Sequence, residues 1–112
     1  MTDGSVTQIP VSEVAALVDA GAAFIDVREH QETSAGKAPG VSCMPLQAFD
    51  VSQVPTDRPL VLICRTGRRS DAAANALAGM GFTTYNVVGG MTAWASAGLP
   101  VVAENGAAGV VL

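Results

Sequence analysis

"RPLVLICRTGRRSDAAANALAGMGF", residues 58–82, decides how this chain is read. Leu60 to Ile63 is a short unbroken apolar run, the pattern of a strand buried on both faces. From Ser70 onward the chain is rich in alanine, which favours a helix; Ser70 is its expected cap and Gly79 or Gly81 its stop. Between strand and helix lies "CRTGRRS", residues 64–70. A strand, a tight turn and a helix in succession form the repeating unit of a parallel α/β sheet. Ligands bind at the carboxyl ends of such strands, which is where Cys64 falls.

The rest of the chain repeats the alternation. "VSEVAALVDAG", residues 11–21, predicts a first helix with Ser12 as cap and Gly21 as stop. "AAFIDVR", residues 22–28, is a buried strand that ends in charge, so Asp26, Val27 and Arg28 belong to the same sheet edge as Cys64. "EHQETSAGKAPG", residues 29–40, is polar and turn-rich, with room for one short helical piece. "VSCMPL" predicts a second short strand ended by Pro45, and "TTYNVV" another. "GGMTAWASAGLP" reads as a glycine turn and a short helix around Trp94, ended by Gly98 and Pro100. The expected architecture is three-layer α/β/α: a central, mostly parallel sheet with helices on both faces. A single domain over residues 1–112 is expected, with a core of about 7–103. The tail from residue 104 onward has no periodicity and is expected to fray.

Composition narrows the functions. The net charge of -4 argues against nucleic acid or an anionic membrane as partner. No charge falls between Asp71 and Glu104, but glycines and Pro100 interrupt that stretch too often for a membrane span. The amino-terminal residues lack a basic start and an apolar segment, so no signal peptide is read there, and a cytoplasmic protein with two reduced cysteines is expected. Two Cys and one His cannot fill a zinc site, and no metal or cofactor is expected.

Against this acidic background, three of the six Lys and Arg residues, Arg65, Arg68 and Arg69, stand in five consecutive positions after Cys64. A thiolate is the reactive form of cysteine. Its pKa, about 8.5 when free, drops to roughly 3.5–7.5 beside a helix N-terminus or arginine. Gly67 permits a tight turn whose successive N–H groups bind an anion, and arginine forks match tetrahedral oxyanions. A nucleophile beside an oxyanion site serves sulfur transfer, or phosphoryl and arsenate chemistry. Loop length separates the two. Tyrosine-phosphatase-type loops carry an arginine six positions after the cysteine; here that position is Ser70, and the last arginine, Arg69, comes one earlier.

"CRTGRRS" resembles the active loop of rhodanese-type sulfurtransferases, Cys-Arg-x-Gly-x-Arg-Ser, at Cys64, Arg65, Gly67, Arg69 and Ser70, with Thr66 and Arg68 on its variable places. "FIDVRE" resembles that family's strand ending in Asp-x-Arg, and "VVGGMTAWASAGLPV" its closing segment. One segment departs: "GKAPGVSCMP", residues 36–45, has Lys37 where the family often has His, Ala38 for Ile and Cys43 for Asn. The resemblance implies a sulfurtransferase of the thiosulfate type. In it, Cys64 is nucleophile and persulfide carrier, and Arg65, Thr66, Gly67, Arg68 and Arg69 bind the anionic donor. Ser70, Asp26 and Arg28 support the site. It implies a thiol, a thioredoxin-like protein or cyanide as sulfur acceptor. A non-catalytic binding module on the same fold and a phosphatase or arsenate reductase are the competing readings.

The remaining candidates have plain structural readings. Asp26 and Arg28 are expected to tie loops at the sheet edge, and Trp94 to pack in the core. His30 is expected to be exposed. Cys43 is expected to be a small buried side chain, its alternative role being a resolving thiol if it comes within bridging reach of Cys64.

Overall fold

The computed structural model describes residues 4–112. Five parallel strands form one sheet in the order β1-β5-β4-β2-β3: β1 (Val6–Ile9), β2 (Ala23–Asp26), β3 (Ser42–Cys43), β4 (Leu60–Ile63) and β5 (Thr84–Val87). Four α-helices connect or cover them: α1 (Val14–Asp19), α2 (His30–Ala35), α3 (Arg68–Gly79) and α4 (Gly90–Ser96). Among the described residues, no helix is long and apolar enough to cross a membrane.

Strand β4 is the centre of the sheet, and all four of its residues are fully buried. Its side chains alternate between two cores. Val61 and Ile63 join Ile9, Val14, Phe24, Met91 and Trp94 on the face covered by α1 and α4. Leu60, Leu62 and then Cys64 join Ile25, Ala73, Ala74 and Leu77 on the face covered by α3. An unbroken apolar run is therefore what the position demands, with each side chain contributing roughly 1.5–3 kcal/mol by leaving water. The predicted three layers and the parallel sheet are both present.

Several local expectations need correction. Val6–Ile9 is an edge strand that pairs with β5 in register from Val6↔Thr84 to Ile9↔Val87. Only four residues long and mostly exposed, it carries too few apolar positions to announce itself. Ser12 makes no capping hydrogen bond; the first turn is a 3-10 segment entered from Pro10, and the α-helix starts only at Val14. Ser70 does not cap α3 either, since Gly67 takes that place and Ser70 lies buried inside the first turn.

Cys43 is exposed, not buried. It lies on edge strand β3, where Asp26 is its register partner, and Asp26 is also the partner of Ile63. Two strand spacings, about 9–10 Å, thus separate Cys43 from the residue beside Cys64. That exceeds the span of a disulfide, so bridging would require the strands to move.

The last residues form no regular element but are held by hydrogen bonds. Val102 and Lys37 exchange backbone bonds of 2.9 Å, and Val110 N donates to Ala35 O at 2.9 Å. The unusual Lys37 enters the structure through its backbone here, and Ala38, in the family's Ile place, is fully buried.

Candidate active site

Cys64 ends β4, and the chain turns over residues 64–67 to enter α3. The turn depends on Gly67, whose φ of +97 lies in the left-handed region. A Cβ there would also stand 3.1 Å from Val87 O and 3.2 Å from Gly89 N, so both conformation and space favour glycine. The turn aims the Gly67 amide at the sulfur: its N–H donates to Cys64 Sγ over 3.1 Å. Ser70, one turn into α3, brings its hydroxyl to 3.3 Å from the same sulfur.

Cys64 is only 1% exposed. Burial is the largest single influence on its thiol and pushes the pKa up. The Ser70 hydroxyl and the backbone N–H groups of Ser70, Gly67 and Thr66 together outweigh it, so the thiol sits below its ordinary value. The sequence suggested guanidinium groups as a principal cause. Instead, short-range hydrogen bonds supply the leading contributions, because the turn folds its amides inward while the arginines point elsewhere.

Each of the three arginines has a different environment. Arg65 is exposed, and its Nε donates to Leu112 O. Arg68 is exposed at the start of α3, on the rim of a polar hollow of about 320 Å³ that Thr66, Gly67, Asp71 and Asn86 also line. Arg69 leans toward α2 and grips the Glu32 carboxylate with two hydrogen bonds, 2.8 and 2.9 Å long. That fork draws the Glu32 pKa down to about 2, so Glu32 is ionised at all ordinary pH.

Two further structures hold the loop. At the start of α4, Met91 N donates to Cys64 O (2.8 Å) and Thr92 N to Arg65 O (2.9 Å). This close approach requires Gly90, because a Cβ there would meet Cys64 O at 2.4 Å. On the other side, Val27 N donates to Ile63 O over 3.0 Å, joining the end of β2 to the residue before Cys64. Next to it, the fully buried Asp26 and Arg28 form an ion pair with Nη2–Oδ2 of 2.8 Å, and Arg28 Nη2 also donates to Gly36 O at 2.7 Å. This pair and its bond to Gly36 O fasten the segment that carries Glu32 to the end of β2.

Residues 10–97 match the Rhodanese-like domain family. The chain belongs to that family. Rhodanese-like relatives span most of its length. A sulfurtransferase of Allochromatium vinosum is 36% identical over 86 residues, 74% of this chain and 80% of the relative. The thiosulfate sulfurtransferase GlpE of Pseudomonas savastanoi pv. phaseolicola is 32% identical over 90 residues, 78% of this chain and 85% of the relative. The crystal structure of a rhodanese-related protein from Thermoplasma volcanium superposes with a TM-score of 0.80 at 28% identity, covering 88% of this chain and 99% of the other.

This rhodanese-like domain gathers Cys64, Thr66, Gly67 and Ser70 around one sulfur, while Arg65, Arg68 and Arg69 surround the loop from outside. Sequence reasoning missed Glu32 and Asn86. Glu32 was one of several acids in a polar segment, and nothing local marks it as the partner of Arg69. Asn86 carried a usable signal: it is a lone amide in the strand run "TTYNVV", and a buried amide needs partners. Here its Oδ1 accepts from Ser70 Oγ at 2.6 Å. His30, 80% exposed and 3.5 Å from Glu104, lies apart from this cluster, as expected.

Proposed function

We propose that this rhodanese-like sulfurtransferase uses thiosulfate, or a similar small anionic sulfane donor, and carries the sulfur as a persulfide on Cys64. The observation that carries this reading is the convergence on Cys64 Sγ of the Gly67 amide at 3.1 Å and the Ser70 hydroxyl at 3.3 Å. These donors favour an anionic sulfur before reaction and an anionic persulfide after it, without a general base.

In the first half-reaction the Cys64 thiolate attacks the outer sulfur of thiosulfate. The donor's S–S bond breaks, its electron pair leaves with sulfite, and a new S–S bond joins the sulfur to Cys64. In the second, an acceptor thiolate takes the outer sulfur and Cys64 leaves as thiolate. A small thiol, a thioredoxin-like protein or cyanide can accept. Arg65 and Arg68, both exposed beside the loop, draw the donor dianion in; Thr66 and Gly67 line its approach. Arg69 keeps the loop in place through Glu32. The two free cysteines suit a compartment that keeps thiols reduced, and the cytoplasm is the proposed location.

The test is the intact mass of reduced protein after thiosulfate treatment, beside Cys64→Ser. A gain of one sulfur atom on the native chain alone is expected. No gain, with Cys64 shown to be reduced and reactive, would turn the reading toward another donor or a binding module.

A further inference from the structure

Ser70 has one hydroxyl proton and two acceptors. Its Oγ lies 2.6 Å from Asn86 Oδ1 and 3.3 Å from Cys64 Sγ. Which atom of the Asn86 amide faces Ser70 is settled by its neighbours. Asn86 Nδ2 donates to Gln8 Oε1 (2.8 Å) and to Gly67 O (3.2 Å). A flipped amide would set oxygen against both of those acceptors. Gln8 is oriented in turn by the Asp71 carboxylate, which can only accept, and takes Gln8 Nε2 at 2.7 Å.

The sheet register produces this chain of contacts. Gln8 and Asn86 are register partners, and Asn86 is opposite Leu62, two residues before Cys64. All of these positions therefore face α3, which supplies Ser70 and Asp71. Ser70 is fully buried and Asn86 is 3% exposed, so water does not readily replace either bond.

We propose that Asn86 is a positioning residue that competes with Cys64 for the Ser70 hydroxyl proton, making that hydroxyl a two-position rotor set by the charge on the sulfur. With a neutral thiol, Cys64 S–H donates to Ser70 Oγ, and Ser70 donates to Asn86 Oδ1. With a thiolate, the O–H turns to the sulfur and Asn86 Oδ1 gives up its bond. No proton leaves Ser70 in either position. Asn86 thus opposes ionisation of the thiol without preventing it, while Ser70 supports the anion once formed. The charged groups around this cluster are Asp71 behind Gln8, Arg68 on the hollow that Asn86 also lines, Arg69 with Glu32, the Asp26–Arg28 pair and Arg65. None of them contacts the hydroxyl, and all are unchanged in the variants below.

The inference rests on Cys64 being the nucleophile and needs no particular sulfur donor. The experiment is the rate of Cys64 alkylation by iodoacetamide as a function of pH. It is run in a Cys43→Ser background, because Cys43 is an exposed thiol that would also react. At a pH below the thiol pKa, Ser70→Ala is expected to slow alkylation about tenfold, and Asn86→Ala to speed it about threefold or more. In the double variant, the Asn86 change is expected to have no effect, since no hydroxyl remains to release.

An equal Asn86 effect with and without Ser70, no effect, or a slowing in the native background would overturn the proposal. Asn86→Val, which suits a strand, carries the same expectations should the alanine variant not fold. Because alkylation uses no sulfur donor, failure to load sulfur from thiosulfate leaves this test standing, and failure here leaves the sulfurtransferase reading standing.

Discussion

Arg69, in the first turn of α3, and Glu32, on α2, meet through two parallel hydrogen bonds of 2.8 and 2.9 Å, tying the helix that follows Cys64 to the segment that follows Asp26 and Arg28. The pair is partly shielded, with 38% exposure on the Arg69 side chain and 14% on Glu32. Both hydrogen bonds join Arg69, an arginine that the family resemblance assigns to the donor, to a carboxylate of the chain itself.

The first prediction concerns pH. The Glu32 pKa falls from 4.5 to about 2 on folding, chiefly through the Arg69 hydrogen bond. A depressed carboxylate stabilises the fold above its unfolded pKa and loses that contribution as pH falls through the folded value. After discounting for solvent screening at the half-exposed Arg69, Glu32→Gln is expected to cost about 1–2 kcal/mol at neutral pH. Urea denaturation should show the difference from native protein shrinking as pH is lowered from 4.5 toward 2. A difference independent of pH would contradict it.

Gly90→Ala tests the support beneath the loop. Its Cβ would stand 2.4 Å from Cys64 O and 2.7 Å from Arg65 C, both backbone atoms, at a φ of +54. Something must move, and the loop carbonyls are what it meets. The expected result is a loss of about 2 kcal/mol or more in stability and slower alkylation of Cys64. Unchanged alkylation in a folded variant would mean that α4 does not set the loop.

Arg28→Ala would leave the Asp26 carboxylate buried and unpaired, as both residues are fully buried. A cost of about 3–5 kcal/mol is expected in chemical denaturation. A loss under 1 kcal/mol, about the value of an exposed pair, would show that the site admits water.

Arg68→Gln separates attraction of the donor from activation of the thiol. Arg68 is exposed, and hydrogen bonds from the loop lead the lowering of the Cys64 pKa. The thiosulfate concentration for half-maximal rate is expected to rise about threefold to tenfold, and native protein to show the greater salt dependence. The alkylation pH profile should stay in place. A profile displaced by a full pH unit would return the arginine to a direct role in ionisation.

Strand, loop and helix around Cys64 were legible in residues 58–82, because a buried parallel strand must be apolar throughout and a tight turn at positive φ favours Gly67. Those are local demands, imposed by backbone geometry and burial, and they are visible within a few residues. The family motifs likewise lie in contiguous runs. The tertiary structure decided which partner each polar group takes. Arg69 meets Glu32 across 37 positions, Asn86 meets Gln8 across 78, and both pairs exist only because the sheet order sets distant segments side by side. Ser70 reads as a helix cap in sequence and becomes a donor to sulfur because Gly67 starts the helix three residues earlier. Cys43 reads as core and is exposed, because β3 is an edge strand of two residues. Hydrogen bonding is satisfied in space rather than along the chain, and sequence order alone does not contain those distances.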